Sequence, residues 1–220
     1  TIATIFGMVV SGRITPVSDR HNVRLELPAG VIDVAIISAG GQVSQIVMTQ
    51  LAPRFLRSYA PEDVLAVFGL HADDLVPHVP IQTVSTGTPQ LMIAVRSHEV
   101  LRRLQVDVPA YHELRQRGDF FSPHIFCLGG ATAEGATFAR HFGVPPDTAE
   151  DPFTGSATGG MAAYLWHYGL IDRPHFIAEQ GHWMGRPGKA TVEILGPPEA
   201  IGAVQVGGRA VVLIEGVFRG

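Results

Sequence analysis

Cysteine is almost missing from this chain of 220 residues, since Cys127 is the only one. A single thiol cannot form an internal disulfide, which fits a reducing compartment, so we expect a cytoplasmic protein. Cys127 lies in the apolar run 125–128, whose β-branched and aromatic residues are typical of a strand. We therefore predict a buried structural cysteine rather than a reactive one.

Lysine and long apolar runs are also scarce. Lys189 is the only lysine, the formal net charge is −4, and no Lys/Arg run occurs, so neither a nucleic-acid nor an anionic-membrane partner is expected. The longest apolar runs are far shorter than the roughly 20 residues that span a bilayer. With 46% hydrophobic and 16% charged residues and a mean hydropathy of +0.21, the composition is typical of a compact globular protein of one or two domains.

Motifs for metals and nucleotides are not found either. The ten histidines are scattered, and we predict surface or core-edge positions for His141, His167 and His182. The pair Asp73-Asp74 is predicted to lie in a solvated loop. The glycine-rich run 155–160 lacks the lysine of a P-loop and the spacing of a dinucleotide fingerprint. We therefore expect no metal and no nucleotide cofactor.

Apolar periodicity predicts a few helices and a larger number of strands. Residues 1–12 are apolar nearly all round at helical spacing, which is typical of a helix enclosed by a sheet, and Gly12 suits its end. Gly40-Gly41 predicts a hairpin turn. Shorter helices are predicted at 61–68, 100–104 and 111–117, and strands at 22–27, 30–37, 43–49, 79–84, 89–95, 125–128, 137–140, 176–179, 190–195 and 210–217.

The stretch Glu150-Asp151-Pro152-Phe153-Thr154-Gly155-Ser156-Ala157 has the richest chemistry, and an apolar helical segment follows it to residue 168. A proline turn leading into a helix presents free N–H groups and the positive end of the helix dipole, which together can bind a carboxylate. Thr154 or Ser156 is expected to supply the N-cap oxygen, and Gly155 allows a ligand close to the backbone. Asp151 beside these groups is a candidate general acid/base. The alternative is an ordinary capped helix after a proline turn.

Several motifs together make the chain resemble the PhzF-like family, the phenazine-biosynthesis isomerases. The run Asp-Pro-Phe-Thr-Gly-Ser-Ala at 151–157 is similar to the signature of the family's second half. The other matching pieces, in the family's order, are Met48-Thr49-Gln50 with Pro53 and Phe55, Ser85-Thr86-Gly87, Ala139-Arg140-His141-Phe142, and Gln180-Gly181 with Met184-Gly185-Arg186-Pro187. The resemblance extends from near Thr1 to the end of the chain.

The resemblance implies a fold shared with diaminopimelate epimerase, an α/β (α+β) protein of two pseudo-symmetric domains. Each domain would be a curved, mostly antiparallel sheet rolled around a central helix, with the ligand cleft between the domains. We place the first domain at 1–78, around helix 1–12, and the second at 79–220, around helix 156–168. The epimerases and racemases of this fold use two thiols, which a chain with one cysteine cannot supply.

The resemblance also implies a cofactor-free isomerase that moves a proton and a double bond on a small carboxylate-bearing metabolite, in secondary metabolism. Asp151 would assist the proton transfer, and Thr154, Gly155 and Ser156 would bind the substrate. Thr1 matches the last residue of the family's Gly-His-(small residue)-Thr motif, but the principal acid/base upstream has no counterpart here. We expect an N-terminal fragment of the same precursor to supply it. A homodimer is common among the family's members.

Other interpretations of the sequence stay open. Arg186 is either a ligand for the substrate carboxylate or a surface arginine at a turn, whereas Gln180-Gly181 is predicted to shape the turn. Without the upstream acid, the protein could bind a small molecule or a partner without turnover. The α-amine and hydroxyl of Thr1 are the pair used by N-terminal nucleophile hydrolases, although those enzymes place the threonine on a strand. Thr1 is either a cleavage product or an effect of numbering, and the substrate is not specified.

Overall fold

The computed structural model describes residues 1–27, 30–147 and 149–216, which form two compact units. The first unit comprises Thr1–Thr49 with the C-terminal residues from Gly207, and the second comprises Gln50–Val206. The domain boundary predicted between residues 78 and 79 stays a prediction.

The first unit contains helix α1 and an antiparallel meander of three strands. Helix α1 spans Ile2–Val10. Strands β1 (Arg20–Leu27), β2 (Gly30–Ala39) and β3 (Gln42–Gln50) were each predicted, and they pair in sequence order. Only Ile5 of the α1 residues is buried, so α1 is more exposed than the enclosed helix expected from its apolar periodicity.

Glycines form the predicted turns of this unit. Gly12 follows α1 with a φ of 73°, and Gly40 and Gly41 between β2 and β3 have φ angles of 58° and 77°. Two successive positive φ angles are typical of the two-residue hairpin turns that match the twist of the flanking strands. The predicted helix end and hairpin are therefore confirmed.

The second unit is dominated by a sheet that is mostly antiparallel. Its strands are β4 (Arg54–Tyr59), β5 (Ile81–Ser85), β6 (Pro89–Ala94), β7 (Ser122–Leu128), β8 (Thr137–Phe142), β9 (Glu150–Asp151), β10 (His175–Gln180), β11 (Gly188–Leu195) and β12 (Ala203–Gly208). They are ordered β12-β11-β10-β8-β7-β6-β5-β4, and β9 pairs with β8. The pairs β6–β7 and β8–β10 are parallel, whereas β4–β5, β5–β6, β7–β8, β8–β9 and β10–β11 are antiparallel.

Four helices accompany this sheet in the described part of the second unit. Helix α2 (Pro61–Val64) continues into a 3-10 turn, while α3 (His98–Arg102), α4 (Val108–Arg117) and α5 (Gly155–His167) are α-helical. The helices were all predicted, with small shifts at their ends. No helix among the described residues is both long and apolar enough to cross a membrane.

The sheet curves around α5. All residues of α5 from Ala157 to Leu165 are buried. The helix contacts β5 and β6 as well as β11, although β11 and β5 lie five steps apart in the strand order. Neighbouring strands are about 4.8 Å apart and a helix is about 10 Å wide, so a flat sheet could not reach one helix with strands so far apart. The predicted enclosed helix at 156–168 is therefore confirmed.

Strand alternation gives the sheet two different faces. On one face, residues such as Leu91, Ile125, Cys127 and Phe138 form an apolar cluster with α3 and α4. The alternate residues face α5. Burial raises the pKa of the Cys127 thiol to about 12, so the prediction of an inert structural cysteine is confirmed.

Two sequence-based expectations in this part of the chain are wrong. Asp74 is not in a solvated loop, because it is only 8% exposed, pairs with Arg103 and accepts a hydrogen bond from His71 N at 2.8 Å. The strand predicted at 210–217 is not formed over 210–216, and Val217 lies outside the described residues.

The last strand is β12 instead, and strand β4 was missed. Val204 and Val206 of β12 are fully buried, whereas Leu213 and Ile214 are 87% and 91% exposed. A strand needs a partner for its backbone groups, and β-branched composition alone does not supply one.

Strand β4 was missed because its sequence contains charged residues and shows no clean alternation of apolar and polar residues. Its register also shifts against β5.

Candidate active site

The turn between β9 and α5 places a carboxylate beside the open end of a helix. Asp151 ends β9, and Thr154 is the N-cap residue of α5. The N–H of Thr158 donates to the Thr154 carbonyl at 3.0 Å, but no described residue accepts a hydrogen bond from the N–H groups of residues 155–157. These three donors lie at the positive end of the helix dipole, and we call them the anion seat.

Thr154 does not cap α5 through its side chain, and this prediction is wrong. Its Oγ1 donates to Asp151 Oδ2 at 2.5 Å instead, because a carboxylate attracts the hydroxyl proton strongly. Asp151 Oδ1 also accepts from Phe153 N at 3.5 Å. Ser156 does not cap the helix either; its side chain is half-buried, and its hydroxyl has no partner among the residues that the structure describes. The helix N–H groups therefore stay open to a ligand.

Gln180 fixes the turn from the β10 side. Its Nε2 donates to the Asp151 carbonyl at 2.6 Å, and its Oε1 accepts from Thr154 N at 3.3 Å. Gly181 follows with a φ of 80°, and a Cβ at this position would lie 2.4 Å from the Pro152 carbonyl oxygen. The prediction that Gln180-Gly181 shapes the turn is confirmed.

Gln50 holds the first turn of α5, a role that sequence reasoning missed. Its Nε2 donates to the Gly155 carbonyl at 2.7 Å, and its Oε1 accepts from Thr86 Oγ1. The amide lies so close to α5 that a Cβ at Gly159 would be 1.9 Å from Gln50 Oε1. Gln50 and Thr86 both belong to motifs of the family resemblance, which was the available signal.

Strand β9 is anchored by an ion pair next to the candidate acid/base. Arg140 Nε and Nη2 donate to the two carboxylate oxygens of Glu150 at 3.0 and 2.7 Å. Both side chains are less than one fifth exposed, at 17% and 18%. A bidentate ion pair of this kind fixes orientation as well as distance, so Glu150 and with it strand β9 are held in place next to Asp151.

His141 lies in the core, and its predicted surface or core-edge position is wrong. It is 4% exposed and contacts the fully buried His124, with their Nδ1 atoms 3.2 Å apart. Burial lowers the pKa of His141 to about 4 and the pKa of His124 well below its ordinary value. Strand alternation turns His141 toward α5, which the sequence motif did not reveal. His167 is exposed and His182 is partly exposed, as predicted.

Arg186 and Thr1 have different positions. Arg186 is exposed, its N–H donates to the Gly181 carbonyl at 3.1 Å, and its guanidinium has no hydrogen-bond partner within the described ranges. It therefore lies in the turn that contacts the signature segment. Thr1 belongs to the other compact unit, where it precedes α1 and is exposed. Roles of both residues in a site stay predictions.

The described geometry suits proton transfer on a bound anion. The anion seat offers three aligned N–H donors, and Asp151 offers a carboxylate whose position is set by Thr154 and Gln180. Across residues 1–27, 30–147 and 149–216, no group of three or more His, Cys, Asp or Glu residues could hold a metal ion. Asp151 and the anion seat themselves offer acid/base chemistry and charge stabilisation.

Comparison with known proteins links the chain to one family. The family model described as "phenazine biosynthesis-like protein" (PhzC-PhzF) matches residues 1–216. The chain is 29% identical over 208 residues to an uncharacterized isomerase, YfhB, of Bacillus subtilis, covering 94% of this chain and 69% of that protein. It is 28% identical over 200 residues to the trans-2,3-dihydro-3-hydroxyanthranilate isomerase of Pseudomonas aeruginosa, covering 90% of this chain and 68% of that enzyme.

A solved structure supports the same relationship. The PhzF-family phenazine biosynthesis protein of Bacillus anthracis matches with a TM-score of 0.78 and 28% identity, over 97% of this chain and 74% of that chain. The fold predicted from the family resemblance is confirmed. The chain spans about two thirds of the length of several curated relatives, with shares from 64% to 69%.

Proposed function

Because this chain belongs to the phenazine biosynthesis-like family, we propose that it is an isomerase that moves a proton between carbon atoms of a small carboxylate. The observation that carries the proposal is the position of Asp151, three residues before the open N-terminus of α5. Several relatives of the chain are named as isomerases, among them one for trans-2,3-dihydro-3-hydroxyanthranilate. That compound is a carboxylate, and it defines the first substrate to test.

The anion seat would bind the substrate carboxylate. When a base removes a proton from the adjacent carbon, negative charge moves onto the carboxylate oxygens, where the N–H groups of residues 155–157 stabilise it. Return of the proton at a second carbon then shifts the double bond, so no atom is gained or lost. The Ser156 hydroxyl has no partner in the described protein and could donate to the same charge.

Asp151 would assist the proton transfer. Its carboxylate accepts from Thr154 Oγ1 at 2.5 Å, which orients one oxygen. Among the described residues, the other oxygen has only the 3.5 Å contact to Phe153 N. A weakly engaged carboxylate oxygen can reach a substrate proton without first breaking a strong hydrogen bond. Replacing Thr154 by Val removes this orientation, whereas Thr154→Ser retains the hydroxyl.

The finer parts of the proposal come from the family resemblance. The principal acid/base would be supplied from upstream of Thr1, by a fragment of the same precursor, and the reaction would belong to secondary metabolism. A homodimer is also proposed. Denaturing intact-mass spectrometry with N-terminal sequencing of every species tests for the fragment, and size-exclusion chromatography with light scattering tests for the dimer.

The first test measures deuterium incorporation. The protein is incubated in D₂O with trans-2,3-dihydro-3-hydroxyanthranilate and a panel of small carboxylates, and NMR follows loss of each C–H signal. We expect one carboxylate to exchange, and Asp151→Asn to reduce that exchange by at least about 100-fold, the scale of a lost acid/base. Asp172→Asn is the matched control, because Asp172 is an exposed loop residue.

Two results would contradict the proposal. Exchange by Asp151→Asn within twofold of the unsubstituted protein would remove Asp151 from the mechanism. Saturable binding of a carboxylate without any exchange would favour the alternative of a binding protein that does not turn its ligand over.

A further inference from the structure

A row of side chains crosses the sheet beneath α5 and ends at Asp151. The Cα register aligns Met92 with His124, His124 with His141, and His141 with Asp151. Aligned residues of neighbouring strands point to the same face. This face carries α5, because Met92 Cε lies 2.6 Å from the position that a Cβ at Gly160 would occupy. His141 is therefore next to Asp151 on the side of the sheet that bears the anion seat.

The hydrogen bonds determine which nitrogen of each ring carries the proton. Ser122 Oγ donates to Gln90 Oε1 at 2.7 Å, so the same oxygen accepts from His141 Nε2 at 2.9 Å. With its proton on Nε2, His141 presents a lone pair on Nδ1, which accepts from His124 Nδ1 at 3.2 Å. His124 Nε2 is then a bare acceptor, and it has no partner among the described residues. These proton positions follow because the Gln90 amide presents its oxygen, and not its nitrogen, to the Ser122 hydroxyl.

This network keeps both histidines uncharged. A second proton on His141 would place an N–H opposite the N–H of His124, and the positive charge would be buried without a hydrogen-bonded partner. Burial accordingly holds the pKa of His141 near 4, while the negative charge of Asp151 acts weakly in the opposite direction. Both nitrogens of His141 are occupied, so the ring has no donor left for the Asp151 carboxylate.

Two titratable side chains face His141 from the strands beside it, counting only the residues that the structure describes. His124 faces it from β7 and Asp151 from β9. On the opposite face, Arg140 pairs with Glu150. The first two turns of α5, residues 155–162, contain no titratable side chain. Within the described part of the chain, Asp151 is thus the one acidic side chain that faces the neutral His141 ring.

We propose that His141 is a positioning residue for Asp151, fixed between Ser122 and His124 as a neutral ring that supports the two-residue strand β9. Strand β9 pairs with β8 at only two positions, His141 with Asp151 and Phe142 with Glu150. The Arg140–Glu150 pair holds β9 on one face of the sheet, and His141 holds it on the other. The inference rests on the proposed function, because it gives Asp151 its role in proton transfer.

The spectroscopic test assigns the tautomers directly. Long-range ¹H–¹⁵N spectra of protein labelled at histidine should show a proton on Nε2 of His141 and on Nδ1 of His124, unchanged between pH 8 and pH 6. A proton on Nδ1 of His141, or a charged ring at pH 7, would overturn the proposal.

The positioning test uses amide exchange near Asp151. His141→Leu removes both ring hydrogen bonds, and we expect the Phe153 and Thr154 amides to exchange about tenfold faster, the effect of roughly one lost hydrogen bond. His141→Gln restores a neutral donor and acceptor and should return both rates to within threefold. The exposed His175→Gln is the matched control. Unchanged rates in His141→Leu, or equal damage by His141→Gln, would overturn the proposal.

A second variant covers the case in which His141→Leu does not fold. His124→Phe keeps a ring of similar volume but removes the donor to His141 Nδ1. It should accelerate hydrogen exchange of the Phe153 and Thr154 amides and shift the ¹⁵N signals of His141. If neither the exchange rates nor the signals change, the proposal is wrong. These readouts require no substrate, so they remain decisive even if Asp151→Asn retains full deuterium exchange and the proposed function fails.

The kinetic test applies to the carboxylate that exchanges deuterium. His141→Leu should lower kcat about tenfold and leave KM within threefold. A displaced Asp151 stabilises the transition state less, whereas the anion seat that binds the substrate is unchanged. A rise in KM with unchanged kcat would instead place His141 in substrate binding and overturn the positioning role.

Discussion

At the scale of single residues, Gly159 shows how closely the site is packed. A methyl group there would meet Gln50 Oε1 at 1.9 Å, so Gly159→Ala must displace the amide that bonds Gly155 and Thr86. We expect a net loss of about 1–2 kcal/mol in the free energy of unfolding, because the lost hydrogen bonds outweigh the better helix propensity of alanine. Urea unfolding measures the change.

The control for this substitution lies in α1. Gly7→Ala adds a methyl group that meets nothing within 4 Å, so it should stabilise the protein by about 0.5–1 kcal/mol through helix propensity alone. If Gly159→Ala behaves like Gly7→Ala, then Gln50 does not hold α5. The double variant Gln50→Ala with Gly159→Ala should recover part of the loss.

The same residues show what sequence can and cannot predict about a site. The position of Asp151 beside the free N–H groups followed from a local pattern, because residues close in sequence make that turn. The turn-shaping role of Gln180 followed from the family motif instead, since its bonds to Asp151 and Thr154 join residues 29 and 26 positions apart. The Gln50–Gly155 hydrogen bond joins residues 105 positions apart, and the Ser122–His141 contact joins residues 19 apart. Such contacts depend on strand register, which no local pattern specifies.

At the scale of elements, a buried carboxylate holds the loop at 129–135. Glu179 is 1% exposed and accepts from Thr132 N at 2.8 Å and Thr132 Oγ1 at 2.5 Å. Burial alone would raise the pKa of Glu179, but the hydrogen bonds from Thr132 hold the pKa below its ordinary value. This stabilisation is present above the ordinary pKa of a glutamate and is lost as the pH falls through the lowered one.

Glu179→Gln should therefore destabilise the protein by roughly 2 kcal/mol at pH 7, because an amide replaces a charged acceptor of two hydrogen bonds. Limited proteolysis should find the loop at 129–135 cut faster. Glu134→Gln is the matched control, since the Glu134 side chain is 68% exposed and only pairs with Lys189 at the surface. Equal proteolysis rates for the two variants would contradict the role of Glu179.

Elements were predicted best where local signals agreed with tertiary packing. Helix α5 had a proline turn before it, apolar residues within it and Gly169 after it, and the structure encloses it. The error at 210–217 has the opposite cause. That segment has the composition of a strand, but the pairing position belongs to β12, whose Val204 and Val206 are buried.

At the scale of the whole molecule, the histidine pair makes stability depend on pH. In the folded state the pKa of His141 is about 4, whereas an unfolded histidine titrates near 6.5, so below pH 6.5 the unfolded chain binds more protons. Folding stability should fall by about 3 kcal/mol from His141 between pH 6.5 and pH 4. His124 acts in the same direction, because burial lowers its pKa as well.

Urea unfolding at pH 7.5, 6 and 5 checks this dependence. His141→Gln should make the free energy of unfolding depend less on pH over that range. His175→Gln, at an exposed position, should leave the pH dependence unchanged. If the free energy of unfolding of His141→Gln falls with pH as steeply as that of the unsubstituted protein, other groups cause the acid sensitivity.

The two faces of the sheet have a consequence for how this sequence can diverge. Alternate residues of one strand serve different purposes, since Ile125 and Cys127 pack in the apolar cluster while Ser122 and His124 lie beneath α5. Descendants of the chain can exchange aliphatic side chains on the first face and keep their chemistry. On the second face, a change at Ser122 or His124 alters the hydrogen bonds that fix His141. Positions 122 and 124 should therefore vary together with position 141 among descendants, whereas positions 125 and 127 should record only the tolerance of the core.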